Sequence, residues 1–380
     1  MEGYTEIMIP NILKTYPRSA LLLFIALFIC GAHAQSSQPC TPAFPFQDGW
    51  WGADAAYSIP LPDGRSVWIF GDTLYGDKRF VNGNDPRMTR NSIGVSRCNS
   101  KGEWQLQYTI RRSADRKEQD FFQTQTKGTW YWALDGYGYG NNLWVTLLCI
   151  RNAREKRPDG FDFETCGADL AKVSNLDADP QKWKVDYFPL VKDGVAAYPS
   201  STAVVDGDYA YLFALYEKDV RPMLLTRIPL KGLDSPAANL QYLSKDGTWK
   251  SGLKPEDAMA VMPHGASEMS VRYHPDRKQW LAVMKSPDLT SDAILLRSAR
   301  QITGPWSDGE AIYHIPELSE SQRDKNMFCY AGKEHPEFAE PGSLLITYVC
   351  NTMKVPDVAT NLKIYVPKVV RIPLENKRID

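Results

Sequence analysis

The chain has 380 residues, and 44 Lys and Arg against 45 Asp and Glu leave a formal net charge of −1. That balance gives no electrostatic reason for nucleic acid or an anionic membrane as a partner. With 43% hydrophobic and 23% charged residues the composition excludes a disordered chain, and 11 Trp, 19 Tyr, 26 Gly and 26 Pro favour short strands and tight turns over long helices.

The first 34 residues read as an address. A basic stretch (Lys14, Arg18) precedes an apolar run from Ala20 to Ile29 and the small residues Ala32 and Ala34. This is the layout of a cleavable secretory signal, cut after Ala34. The run is about half of the roughly 20 residues that span a bilayer, which disfavours a membrane anchor. Bulky Ile29 disfavours a lipid on Cys30. The expected product is a secreted or periplasmic protein with no membrane association, folding as one domain over 35–380.

Cys30 leaves with the signal, and the remaining cysteines are even in number: Cys40, Cys98, Cys149, Cys166, Cys329 and Cys350. An even set in an exported chain suggests disulfides. Cys149 and Cys166 close two strand-like runs around a polar turn, as do Cys329 and Cys350, which leaves Cys40 for Cys98. No zinc-type spacing occurs, and no metal or other cofactor is expected.

Beyond the signal, short runs rich in Val, Ile, Tyr, Trp and Phe alternate with Gly, Asp and Pro turns. Ser66–Asp72, Leu143–Arg151, Tyr209–Tyr216, Trp280–Lys285 and Leu344–Cys350 are examples. They fall into five stretches, about 45–112, 120–192, 195–252, 258–316 and 325–376. Such spacing predicts an all-β five-bladed propeller of four-stranded antiparallel blades. The strand-like stretch Lys363–Ile372 is expected to complete the sheet begun near residue 45. The turn-rich Asn82–Met88 and polar Glu317–Asn326 read as inserted loops.

The first hairpin carries the most chemistry. Gly52-Ala53-Asp54 and Phe70-Gly71-Asp72-Thr73 flank a turn at Asp63, and a regular register sets Asp54 opposite Asp72, Ala56 opposite Phe70 and Ser58 opposite Trp68. Two facing carboxylates repel unless they share a proton or a cation, a cost most simply explained by a function. Glu268, in the approach to the first strand of the fourth stretch, faces the central channel of a propeller. One carboxylate held protonated and another ionised is what glycoside hydrolysis requires. Asp54, Asp72 and Glu268 are therefore the catalytic candidates.

Substrate-binding candidates sit at matching strand starts. Arg90 and Asn91 open the strand after the Asp72 hairpin, Asp135 follows Trp130-Tyr131-Trp132, and Glu334-His335 follows Tyr330-Ala331-Gly332. Trp51, Trp130 and Tyr198 offer flat apolar walls for sugar faces, and His264 lies just before Glu268. No GxSxG elbow, Walker loop or dinucleotide fingerprint is present. Ser244-Lys245-Asp246-Gly247-Thr248-Trp249 is like a sialidase Asp-box but lacks its spacing and occurs once.

At these residues the sequence resembles the five-bladed β-propeller glycoside hydrolases, the group of arabinanases, β-xylosidases, invertases and levansucrases. Within the group it looks most like an uncharacterised-domain lineage that includes endo-D-arabinanases. The resemblance rests on the Asp54 and Asp72 stretches, on Ser267–Val271 with Trp280, on Ala299–Ser307 with Ile312-Tyr313, and on Tyr330–Pro336 with Ile346-Thr347-Tyr348 and Tyr365-Val366-Pro367. It implies that Asp54 is base or nucleophile, that Asp72 is its essential partner, and that the ligand is an oligo- or polysaccharide. The resemblance departs at the third stretch, where Tyr198-Pro199-Ser200-Ser201 stands in place of the expected acid, so Glu268 must serve. The leading expectation is an exported, monomeric glycoside hydrolase acting on a furanose-containing or other glycan. The alternatives are a non-catalytic carbohydrate-binding propeller and a glycan phosphorylase or transferase on the same fold, the last disfavoured because a phosphate site needs cations and only Arg90 is placed near the carboxylates.

Overall fold

A computed structural model describes residues 40–374 apart from 77–86, 157–160, 219, 289, 320–325, 355–357, 359–360 and 362. The expected signal at 1–34 and most of the loops read at 82–88 and 317–326 lie outside the described residues. Among the described residues no helix is long and apolar enough to cross a membrane.

Five antiparallel sheets form a five-bladed propeller. Blade one is built from Trp50–Pro60, Arg65–Tyr75, Ser92–Cys98 and Trp104–Thr109, with Arg87–Thr89 added beside its second strand. Blade two runs from Thr129–Tyr139 outward through Asn142–Asn152 and Phe163–Ser174 to Lys184–Lys192. Blade three begins at Ala197–Asp206, blade four at Met269–His274 and blade five at Met327–Glu334. The blades are not all four-stranded: among the described residues the sheets hold five, four, six, four and three strands. The hairpins turn where turn chemistry permits, as at Gly64 (φ 81°) after Pro62-Asp63, a backbone conformation that side chains disfavour.

Each seam between blades is an apolar layer. Tyr57 and Ile59 of blade one pack with Leu134 and Val145 of blade two. Phe213 and Leu225 meet Met269 and Val271, and Leu281 and Val283 meet Leu344 and Ile346. Trp50, Trp68 and Phe70 close the ring against Phe338 and Leu345. Burial of such side chains stabilises by roughly 1.5–3 kcal/mol each.

Hydrogen bonds tie the innermost strands in order. Asn91 donates to the Tyr131 carbonyl (2.9 Å), Thr146 to Ser200 (2.9 Å), and the Val271 amide to Thr202 (3.3 Å). The Glu334 amide donates to Ser270 (2.9 Å) and Thr347 to the Ala56 carbonyl (3.2 Å). Closure differs from the sequence expectation, because Lys368–Pro373 pairs with Ser343–Thr352 inside blade five and does not join the first sheet.

All three expected disulfides form: Cys40–Cys98, Cys149–Cys166 and Cys329–Cys350. In Ser244–Trp249, Thr248 and its amide donate to Asp246, and the segment is a capped hairpin turn.

Candidate active site

The first hairpin departs from regular pairing where its chemistry lies. Ser58 faces Trp68 as expected, but Ala55, not Ala56, pairs with Phe70, and the register shifts on both sides of Ala55. Ala55 and Ala56 have φ of 66° and 131°, so the strand bulges. Asp54 consequently has no ladder partner, and it is not set squarely opposite Asp72. Gly71 leaves the room that the bulge needs, since a Cβ there would stand 2.0 Å from Asp54 Oδ1.

The bulge turns Asp54 towards blade five, where the Tyr330 hydroxyl donates to Oδ2 at 3.1 Å. Burial, then Asp72, then Glu268 raise the Asp54 pKa well above the usual carboxylate range, while Tyr330 and Tyr365 oppose them. Burial also raises Asp72, but Arg90 (3.2 Å) and the Trp132 indole hold it at about 6. The Arg90 guanidinium lies 4.4 Å from the centre of the Trp130 ring, fixing the cation over an aromatic face. Glu268 accepts from Ser267 at 2.6 Å; its burial raises its pKa, and Ser267, Arg221 and Lys333 work against that. Asp54, Asp72 and Glu268 are each half-buried, and Asp54 lies close enough to the other two to feel their charges.

The first strands of blades two, four and five contribute an ion-paired cluster near the central axis. Asp135 is fully buried and accepts from Thr202 (2.5 Å) and the Ala203 amide (3.0 Å). It also pairs with Arg272 (3.1 Å) and Lys333 (3.6 Å). Burial would raise its pKa, yet the two cations outweigh that and bring it down to about 2. Lys333 donates to the Leu134 carbonyl, lies 4.0 Å from the centre of the Tyr57 ring, and is pushed down to about 8 by burial. Glu334 and Glu337 also act on Arg272, and Glu268 on Lys333, so the cluster shares its charge with neighbouring carboxylates.

The substrate-binding expectations divide. Arg90 and Trp130 border Asp72. Asp135 does not face a ligand, because its oxygens serve the axial cluster. Asn91 is fully buried and bonds Phe122 and Tyr131, a structural link between blades one and two. Tyr198 is a core residue. Glu334 is buried with His274 at 2.9 Å, and His335 is buried between Ser58 (2.6 Å) and Thr347 (2.7 Å), burial driving its pKa to about 3. His264 is exposed and bonds the Val220 carbonyl. Trp51, 3% exposed, lines a cavity of about 590 Å³ with Phe46, Ile364 and Val366, which none of the three carboxylates lines. Apart from Arg90 and Trp130, each was claimed by an apolar seam, a backbone group or a polar side chain that strand position alone does not reveal.

Sequence reasoning missed Tyr330, Tyr365, Lys333, Trp132 and Gly71. The signals available were a glycine within a strand pattern at Gly71 and a lysine within an inner strand at Lys333. Nothing in the chain couples Tyr330 to Asp54 across 276 positions. Among the described residues no group of three or more His, Cys, Asp or Glu is placed to hold a metal.

The fold recurs among solved structures. A candidate hydrolase from Bacteroides ovatus superposes with a TM-score of 0.66 at 20% identity, covering 85% of this chain and 86% of that one. A xylan β-1,4-xylosidase from Bacillus halodurans gives 0.45 at 9% identity, over 82% of this chain and 51% of that one. An exo-1,5-α-L-arabinanase from a bovine ruminal metagenomic library gives 0.44 at 11%, over 86% and 94%. No curated protein matches the sequence. Residues 43–374 match a single family model, and the chain belongs to that family, described as Domain of unknown function (DUF5005).

Proposed function

We propose that the protein is an exported glycoside hydrolase in which Asp54 is base or nucleophile, Asp72 its charged partner and Glu268 the general acid. One observation carries the reading: Asp72 of blade one and Glu268 at the start of blade four both raise the pKa of the half-buried Asp54. Like charges so placed destabilise the resting protein. Cleavage of a glycosidic bond develops positive charge on the sugar ring, and that charge is attracted by the same cluster. The arrangement therefore favours the transition state over the ground state, which is what accelerates a reaction.

Burial raises the Glu268 pKa, which favours its role as the carboxyl that gives a proton to the departing oxygen. Asp72, ionised against Arg90, keeps negative charge beside Asp54 and attracts the developing cation. Tyr330 and Tyr365 support the ionised form of Asp54. Trp130 and Trp132 offer aromatic faces at the site's edge. Three disulfides suit an oxidising compartment outside the cytoplasm.

The test is reducing-end release from arabinan, xylan, fructan and mycobacterial arabinan by wild type and by Asp54→Asn. Cleavage of one glycan that is lost in the variant supports the reading. A wild type that cleaves none of them but binds one marks a carbohydrate-binding propeller instead.

A further inference from the structure

A run of five aromatic side chains joins Asp72 to Asp54 by the outer route. Trp132, whose indole supports the ionised form of Asp72, meets Phe163 edge-on with ring centroids 4.7 Å apart. Phe163 contacts Phe161 at 5.3 Å, and Phe161 reaches Phe328 at 6.2 Å. Phe328 stacks on Tyr330 at 5.5 Å, and Tyr330 donates to Asp54. All five are half-buried.

The contact between Phe161 and Phe328 joins two blades that are not neighbours. Phe161 precedes the third strand of blade two, and Phe328 lies on the first strand of blade five. Blade one stands between them in the ring, and it carries both aspartates. The aromatic run therefore arches across the blade-one wedge of the site. An internal segment of a polymer leaves the site on two sides, and the aromatic run walls one of them. Half-exposed aromatic walls with a few convergent polar groups are the ordinary lining of a small-molecule pocket.

We infer that the site takes the terminal sugar of a glycan, or a small glycoside, and not an internal segment of a polymer, with Phe161 and Phe328 setting that limit. The inference rests on the glycosidase reading and deepens it.

Three measurements test it. The first is the product distribution at early conversion of whichever linear glycan the wild type cleaves. One small product with little loss of viscosity is expected, and an immediate ladder of oligomers overturns the inference. The second compares Phe161→Ala and Phe328→Ala, each checked for folding by circular dichroism. Opening the arch is expected to raise the share of internal cleavage by about tenfold. If both folded variants keep the wild-type pattern, the arch does not set the limit.

The third needs no turnover. Calorimetry compares arabino-, xylo- and galactopentaose, each free, capped at the reducing end or capped at the non-reducing end. Capping one end is expected to weaken binding by about tenfold or more, with the other cap tolerated. Equal affinity for all three forms overturns the inference. End-dependent binding without cleavage overturns the glycosidase reading alone, and neither binding nor cleavage across the panel overturns both.

Discussion

Gly71 and Asp54 occupy one space: a Cβ on Gly71 would stand 2.0 Å from Asp54 Oδ1 and 3.0 Å from its Cγ. Gly71 has no positive φ, so its backbone tolerates a side chain, and the carboxylate is what must move. Gly71→Ala is expected to leave the fold intact and to displace Asp54 from Tyr330. Hydrolysis should fall by at least about a hundredfold, since misplacing a reacting group by about 1 Å costs that much. A folded variant with wild-type kcat/KM would remove Asp54 from the mechanism.

Asp54→Asn separates chemistry from stability. Activity should fall by about 10²–10⁴-fold or more, the usual contribution of a positioned base. Stability should change with pH in the opposite sense. The raised pKa of Asp54 means that the folded protein holds its proton more tightly than the unfolded chain does. Wild type thus loses stability as pH rises from about 4, the unfolded value, through the folded one. Asn is free of this penalty, so the variant's melting temperature relative to wild type should be higher at pH 8 than at pH 4. A constant difference across that range would contradict the burial of charge at Asp54.

Glu268→Gln removes the proton donor while keeping shape. Natural glycans, with poor leaving groups, should be turned over at least about a hundredfold more slowly, and aryl glycosides with acidic phenols should be largely spared. Equal losses on both substrate types would show that Glu268 is not the acid.

Arg90 sets the acid limb. It lowers the Asp72 pKa against the effect of burial, to a net value of about 6. Arg90→Met should raise that pKa, delay ionisation of the pair, and move the rising limb of the kcat/KM profile to higher pH. Arg90→Lys should recover part of the shift. An unmoved limb would place the controlling ionisation elsewhere.

Asp135→Asn probes the axial cluster. It removes the carboxylate that pairs with both Arg272 and Lys333, which are 18% and 1% exposed. Breaking such a buried pair typically costs about 3–5 kcal/mol, measurable by urea denaturation at pH 7. The folded pKa of about 2 lies below the unfolded one, so the wild-type advantage holds above about pH 4. It should shrink as pH falls towards 2, and a difference that does not shrink would assign the loss to packing.

The strands, their turns and the five stretches were legible in the chain, because alternation of apolar residues and turn chemistry are local properties. So were the disulfides, whose hairpin spacing restricts the partners, and the acidic residues of the first hairpin and of the approach to blade four. Register was not. A bulge at Ala55 costs one residue of pairing, and its cause, the space left by Gly71, exists only once two strands are side by side. Nor was the division between site and core: Asp135, Asn91 and His335 are polar residues at or beside strands, as Arg90 is, and only neighbours from other blades show that they are consumed. Sequence alone determined which residues lie on strands and which carry charge. Tertiary structure decided which of those charges meet, because the distances that set a pKa or close an aromatic arch are made between blades far apart in the chain.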